Sequence, residues 1–233
     1  MNTTPPFRKT WTPGRMQFQL EPDVERYLVS HSTGYTEPVA RLVDETAALG
    51  EPSVMMAAKE QYAFFRFLAS HLDCRRILDI GTFTGLSALA FAEGMRTGGR
   101  VTTIERDPGW IAKAEPHWKR AGVAERIDVR VGEAADVLAD IAAVPDSRFD
   151  IVFIDVDKAR VGDYVERSLA LLAPRGLVIV DNALWHGWVL DPARTDPDTE
   201  GMRRFNDRIA HDPRVDVVIL PIADGLTMIR YRN

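Results

Sequence analysis

Seven short runs rich in Val and Ile, spread from Arg75 to Arg232, constrain this chain more than any other feature. RRILDIG, GRVTTIE, RIDVRVG, FDIVFID and GLVIVDN have the near-continuous apolar texture of strands covered on both faces. Helix-like stretches at 86–96, 108–121, 134–143 and 162–172 separate them. Strand and helix alternating at this pace require crossover connections, which predicts an α/β fold with a doubly wound, mostly parallel sheet. The last two runs, VDVVILPI and LTMIRYR, flank Ala223-Asp224-Gly225. That turn signal predicts an antiparallel C-terminal hairpin at a sheet edge, completing a seven-stranded sheet.

Upstream the texture differs. Residues 1–20 are rich in Pro, Thr and Arg without a stable period, and read as an N-terminal arm. Residues 21–233 read as a single domain, with N-terminal helices over 21–72 and the α/β core over 73–233. Pro22-Asp23 and Glu37-Pro38 open two of those helices, since proline is tolerated in a first turn. The third spans about 57–71 and carries Tyr62, Phe65 and Ala69 on one face. A net charge of −5 disfavours nucleic acid as a partner. Cys74 is the single cysteine, which excludes an internal disulfide and a multi-cysteine zinc site. No apolar run approaches the roughly 20 residues of a membrane span, and the first residues have no signal-like apolar region. A cytoplasmic location is therefore expected.

Ligands of doubly wound sheets bind beyond the carboxyl ends of the strands. Those ends read Asp79-Ile80-Gly81, Glu105, Gly132-Glu133-Ala134, Asp155-Val156-Asp157-Lys158 and Asp181-Asn182. Carboxylates gathered on one rim repel unless a cation or a donor-rich ligand sits among them. The first turn, Asp79 to Gly85, has glycine at both ends but Phe83 where a pyrophosphate loop wants glycine. A nucleoside without phosphates tolerates that residue. Glu105, ending the second strand, is placed to accept ribose hydroxyl protons, or is simply a surface glutamate beside a tight turn. If the fourth and fifth strands are neighbours, Asp155, Asp181 and Asn182 bring hard oxygen donors together, a set suited to Mg2+, Mn2+ or Ca2+. The alternative is that they cap the following helices. Lys158 is either a solvated surface charge or, beside a dication and a hydroxyl, a general base.

ILDIGTFTGLSALA, the acidic end of GRVTTIERDP, FDIVFIDVDK, GLVIVDN followed by ALW, and LPIADGLTMIR occur in that order. Together they resemble the cation-dependent class I O-methyltransferases, the group containing catechol and caffeoyl-coenzyme A O-methyltransferases. The resemblance covers roughly residues 53 to 231. It implies a Rossmann-like methyltransferase fold, S-adenosylmethionine as cofactor with a divalent cation, a small aromatic hydroxyl acceptor and a homodimer. It further implies that Asp79, Gly81, Phe83 and Ser87 line the methionine side of the cofactor. By the same resemblance Glu105 holds the ribose, Gly132 and Ala134 border the adenine, and Asp157 sits beside the cofactor. Met55 and Glu60, from the helix before the sheet, would close over it. Asp155, Asp181 and Asn182 would bind the cation and Lys158 would be the base.

Some positions depart from the family pattern. Arg160 and Val161 stand where an Asn-Tyr pair is frequent, and Tyr62 and His186 where glycine is usual. Arg160 would favour an acidic acceptor group, while Trp185 and Trp188 would wall an aromatic one. The residues also bear on three other functions. A nicotinamide-dependent dehydrogenase is disfavoured by Phe83. A base methyltransferase would carry an Asn/Asp-Pro-Pro-aromatic loop where Asp155-Val156-Asp157-Lys158 stands. A non-catalytic cofactor-binding protein would have no use for the full set of cation and base residues.

Overall fold

The computed structural model describes residues 22–232; the expected arm at 1–20 lies outside the described residues. Each apolar run forms a strand: β1 (Arg76–Ile80), β2 (Arg100–Glu105), β3 (Ile127–Val131), β4 (Phe149–Ile154), β5 (Leu172–Asp181), β6 (Val215–Leu220) and β7 (Leu226–Tyr231). They make one sheet in the order β3-β2-β1-β4-β5-β7-β6. The first five run parallel, and β7 pairs antiparallel with both β5 and β6. The hairpin is thus the expected edge device, with β6 outermost.

Eight helices accompany the strands among the described residues: α1 (Pro22–Ser30), α2 (Glu37–Ala47), α3 (Lys59–His71), α4 (Leu86–Gly94), α5 (Pro108–Arg120), α6 (Ala134–Ala143), α7 (Val161–Ala170) and α8 (Pro197–Ala210). Helix α8 was not expected. Its buried apolar positions, Met202, Phe205 and Ile209, are thinly spaced among charged residues. Its start was nonetheless marked, since Asp196 Oδ1 accepts from Thr199 N at 3.0 Å and Pro197 occupies the first turn. Among the described residues no helix is long and apolar enough to cross a membrane.

Strand residues alternate between two cores, as a period of two requires. Ile77, Ile151, Phe153 and Ile179 face the layer containing α3, α4 and α5. Leu78, Ile80, Val152, Ile154, Val178 and Val180 face the layer of α7 and α8. Phe65 roots α3 on the sheet, its ring 4.8 Å from Phe91 and 4.7 Å from Phe153. Burying such a ring contributes about 2–3 kcal/mol. Tyr62, on the same helix, is also buried, and its hydroxyl donates to Glu93 Oε2 at 2.5 Å. The chain runs outward from β1 through β2 and β3, then crosses back to β4. The order therefore switches between β1 and β4, where a ligand cleft is expected.

Candidate active site

A cleft of about 1350 Å³ opens over the carboxyl ends of the parallel strands at that switch. Small-molecule pockets usually measure roughly 300–1,000 Å³, so this one has room for two ligands side by side. Every site residue expected from the sequence lines it except Asp79.

One end of the cleft begins with the turn after β1. Gly81 has φ +100°, and a Cβ there would lie 1.9 Å from the Asp155 carbonyl oxygen, so β1 and β4 meet closely only because this residue is glycine. Phe83 adopts φ +48°. In that conformation its N–H donates to Glu105 Oε2 at 2.9 Å, and its ring lies 4.5 Å from Trp110. Asp107 N donates to the other Glu105 oxygen at 3.0 Å. The carboxylate at the end of β2 is therefore fixed by two backbone donors, and Gly132 N, bonded to Glu105 O at 2.9 Å, brings the Gly132–Ala134 corner beside it.

Asp79 differs from expectation. It is fully buried on β1, behind the cleft wall, because β1 is covered on both faces. Oδ2 accepts from Ser87 Oγ at 3.2 Å and Thr103 Oγ1 at 2.7 Å, while Oδ1 has no partner among the described residues. Burial pushes this carboxyl up to about 7. Its position lets it hold Ser87, which does line the cleft, rather than line the cleft itself. Met55 also sits elsewhere than expected, in a 3-10 turn (Glu51–Met55) before α3, whereas Glu60 is in the first turn of α3. Both reach the cleft rim.

The other end is built on β4 and β5. Their register pairs Ile154 with Val180, so Asp155 and Asp181 follow at the same height on adjacent strands. Asp181 is buried, and its carboxyl is held well above the usual carboxylate range, first by burial and then by the charge of Asp155. Gln61 Nε2 donates to Asp181 Oδ1 at 2.9 Å and Asn182 N at 2.7 Å. Among the described residues no three His, Cys, Asp or Glu side chains gather as a metal-holding group. The donors here are two carboxylates and the Asn182 amide instead. Mutually repelling hard oxygens without sulfur or imidazole suit a Mg2+-like cation, which would relieve the strain on Asp181.

Lys158 lies in the 3-10 turn (Lys158–Arg160) after β4 and is buried. Its Nζ donates to Asp155 Oδ1 at 2.8 Å and stands 5.9 Å from the Trp185 ring. Asp198 of α8 anchors this turn, one Oδ1 accepting from Lys158 N at 3.0 Å and Ala159 N at 2.9 Å. Asp157 accepts from Tyr164 OH at 3.0 Å, and burial together with that bond pushes the phenol up to about 12.

The departures sort by position. Arg160 does not line the cleft: its guanidinium lies over the Tyr164 ring at 5.5 Å, which removes the expected contact with an acidic acceptor. Trp185 and His186 line the cleft, whereas Trp188 stands behind them, 4.9 Å from the His186 ring. Asp224, read from the sequence only as part of a turn, lines the cleft and accepts from His186 N with both oxygens at 2.9 Å. Gln61, Trp110 and Asp198 were also missed. Only Gln61 carried a signal, a polar side chain one turn before Phe65 on the apolar face of α3.

A family profile described as O-methyltransferase matches residues 29–232. A probable caffeoyl-CoA O-methyltransferase 1 of Dictyostelium discoideum is 34% identical over 220 residues, covering 94% of this chain and 96% of the relative. A catechol O-methyltransferase of Niastella koreensis is 32% identical over 219 residues, covering 91% and 98%. The solved structure of the O-methyltransferase TomG from Streptomyces achromogenes, in complex with SAM, superposes with a TM-score of 0.83 at 29% identity, covering 91% of this chain and 96% of that one. With the Phe83 turn, these matches set aside the dehydrogenase. The chain belongs to the class I O-methyltransferases, and is an S-adenosylmethionine-dependent enzyme of the caffeoyl-CoA and catechol O-methyltransferase type.

Proposed function

We propose that this enzyme methylates one of two vicinal hydroxyls on a small aromatic acceptor, with a divalent cation held by Asp155, Asp181 and Asn182 and with Lys158 as general base. The observation that carries this reading is the adjacency of Asp155 and Asp181 beyond the paired ends of β4 and β5, with Asn182 next in the chain and the buried Lys158 Nζ 2.8 Å from Asp155. The names of relatives such as the caffeoyl-CoA and catechol enzymes support the acceptor class.

S-adenosylmethionine supplies an electrophilic sulfonium methyl, and a divalent cation supplies the charge that stabilises an ionised hydroxyl. The chain's residues do the rest. Glu105, already fixed by two backbone donors, accepts from ribose hydroxyls. Met55 and Glu60 cover the cofactor end at the rim. Asp155, Asp181 and Asn182 would hold the cation, with Gln61 keeping Asp181 in place. Lys158 Nζ, 2.8 Å from Asp155 Oδ1, would be the group that takes the acceptor's proton. Trp185 offers an apolar wall that orients an aromatic ring and keeps water from the oxyanion. A homodimer through the N-terminal helices belongs to the same proposal, since Tyr27 and Phe67 are 62% and 68% exposed. Sedimentation at micromolar concentration would settle it, a monomer removing that part.

The test of the central reading is methyl transfer from labelled S-adenosylmethionine to a panel of substituted catechols, with Mg2+ and with EDTA. Turnover stopped by EDTA and restored by Mg2+ is expected. Turnover indifferent to EDTA would overturn the cation assignment. Cofactor binding without turnover of any vicinal diol would overturn the acceptor class.

A further inference from the structure

We infer that Arg203 is a positioning residue that sets how the acceptor is presented, by holding the loop after β5 rigid against α8. This rests on the proposed vicinal-oxygen acceptor for its catalytic consequence, and on geometry alone for the clamp.

The loop over residues 183–194 carries Trp185 and His186 into the cleft. It is not regular structure: Trp185, His186 and Gly187 take φ of 44°, 57° and 76° in succession. Left-handed backbone of this kind persists only when its surroundings hold it. Four of its carbonyls share one side chain. Arg203 Nε donates to Val189 O at 2.9 Å, Nη1 to Arg194 O at 2.7 Å, and Nη2 to Trp188 O at 2.8 Å and to Asp191 O. Glu200, one turn earlier on α8, takes the remaining N–H and orients the fork. All five guanidinium donors are thereby used, four of them on this loop. Asn206, one turn further along α8, donates to Ala183 O at 2.9 Å, and Asp224 holds His186 N from the opposite side.

The same helix holds the base. Asp198 binds the amides of Lys158 and Ala159, and a Cβ on Gly201 would lie 2.2 Å from Lys158 O. Helix α8 therefore fixes Trp185 relative to Lys158, whose Nζ is 5.9 Å from that ring. A planar acceptor lying on Trp185 has two oxygens to offer, and a fixed wall decides which one faces Lys158. If the loop is loosened, the ring can turn over and offer either. The fork matters more than the charge, because no ammonium reproduces its planar set of donors.

The experiment compares Arg203→Met and Arg203→Lys with the parent enzyme in two arms. Hydrogen exchange of the ligand-free proteins should show the amides of 184–194 exchanging about tenfold faster or more, with those of 81–87 unchanged. On an unsymmetrical 4-substituted catechol the acceptor KM should rise about tenfold, and the ratio of the two monomethyl products should move toward one, while S-adenosylhomocysteine Kd stays within about twofold. Arg203→Lys, which keeps the stem and charge and safeguards against a folding failure of Arg203→Met, should share the defect in part. Loop protection equal to the parent's in both variants would overturn the clamp. A loosened loop with unchanged KM and product ratio would overturn its role in acceptor presentation. A parent enzyme that binds S-adenosylhomocysteine but turns over no catechol would defeat the proposed acceptor class instead, leaving the exchange arm to decide the clamp.

Discussion

Gln61 spans two elements with one amide: Nε2 donates to Asp181 Oδ1 at 2.9 Å, and Oε1 accepts from Ala58 N at 2.6 Å. The first turn of α3 and a carboxylate lining the cleft therefore share a fastener. Replacing Gln61 with Leu strips a partner from each, from Asp181 in buried surroundings and from Ala58 in half-buried ones. We expect a stability loss of about 1–3 kcal/mol in urea unfolding. Turnover should fall by more than the unfolded fraction explains. A variant within about 0.5 kcal/mol of the parent would deny Gln61 that role.

Asp155→Ala should abolish cation-dependent turnover while S-adenosylhomocysteine affinity, measured by calorimetry, stays within a few-fold. It also leaves the ammonium of Lys158, whose side chain is only 4% exposed, without its partner. Breaking such a buried pair costs about 3–5 kcal/mol, and the partial exposure of Asp155 places this case near the lower figure. The double variant Asp155→Ala/Lys158→Met should recover part of that stability without recovering activity. Retained activity in the single variant would remove Asp155 from the cation site.

Glu105→Ala removes the acceptor held ready by Phe83 N and Asp107 N. Cofactor binding should weaken by about 1.5–3 kcal/mol, the range for charge-assisted hydrogen bonds, with little change in acceptor KM. An unchanged dissociation constant for S-adenosylhomocysteine would exclude Glu105 from the ribose site.

Burial raises the Asp79 carboxyl from 3.8 to about 7. Between those values the folded protein keeps a proton that the unfolded chain has released. The contribution to stability is therefore fully present below about pH 4 and lost as pH rises to about 7. The ligand-free enzyme should melt at lower temperature at pH 7.5 than at pH 5. Asp181 and Asp224 push the same way, since burial raises both. Asp79→Asn should flatten the slope by on the order of a few kcal/mol across that window. An equal slope in parent and variant would show that Asp79 does not titrate there.

The alternation of Val/Ile runs with helical stretches carried the whole sheet, because strands covered on both faces leave an apolar signature that few other elements share. The carboxylates at strand ends were legible for the same reason, since position in a parallel sheet fixes which end faces the cleft. Asp79 misled because its face of β1 depends on the side-chain alternation within a fully apolar run, where no polar neighbour marks the outside. Helix α8 hid among its own charges, Met202, Phe205 and Ile209 being too few to set a period. With α8 unseen, Asp198 and Arg203 had no address. Arg160 shows the converse limit: a charge adjacent to the site in sequence spends itself on Tyr164.

The strand order separates Glu105, on β2, from Asp181, on β5, by β1 and β4. Adjacent strands lie about 4.8 Å apart, so the sheet sets these two carboxylates roughly 14 Å from one another at the backbone. That span is a ruler marked in hydrogen-bonded ladders, and no side-chain substitution can change its graduations. Evolution or engineering toward a longer or wider acceptor has to work on what is attached beyond the ruler's end. In this enzyme that is the loop after β5 and the rim before α3, while the distance between Glu105 and Asp181 stays a constant of the fold.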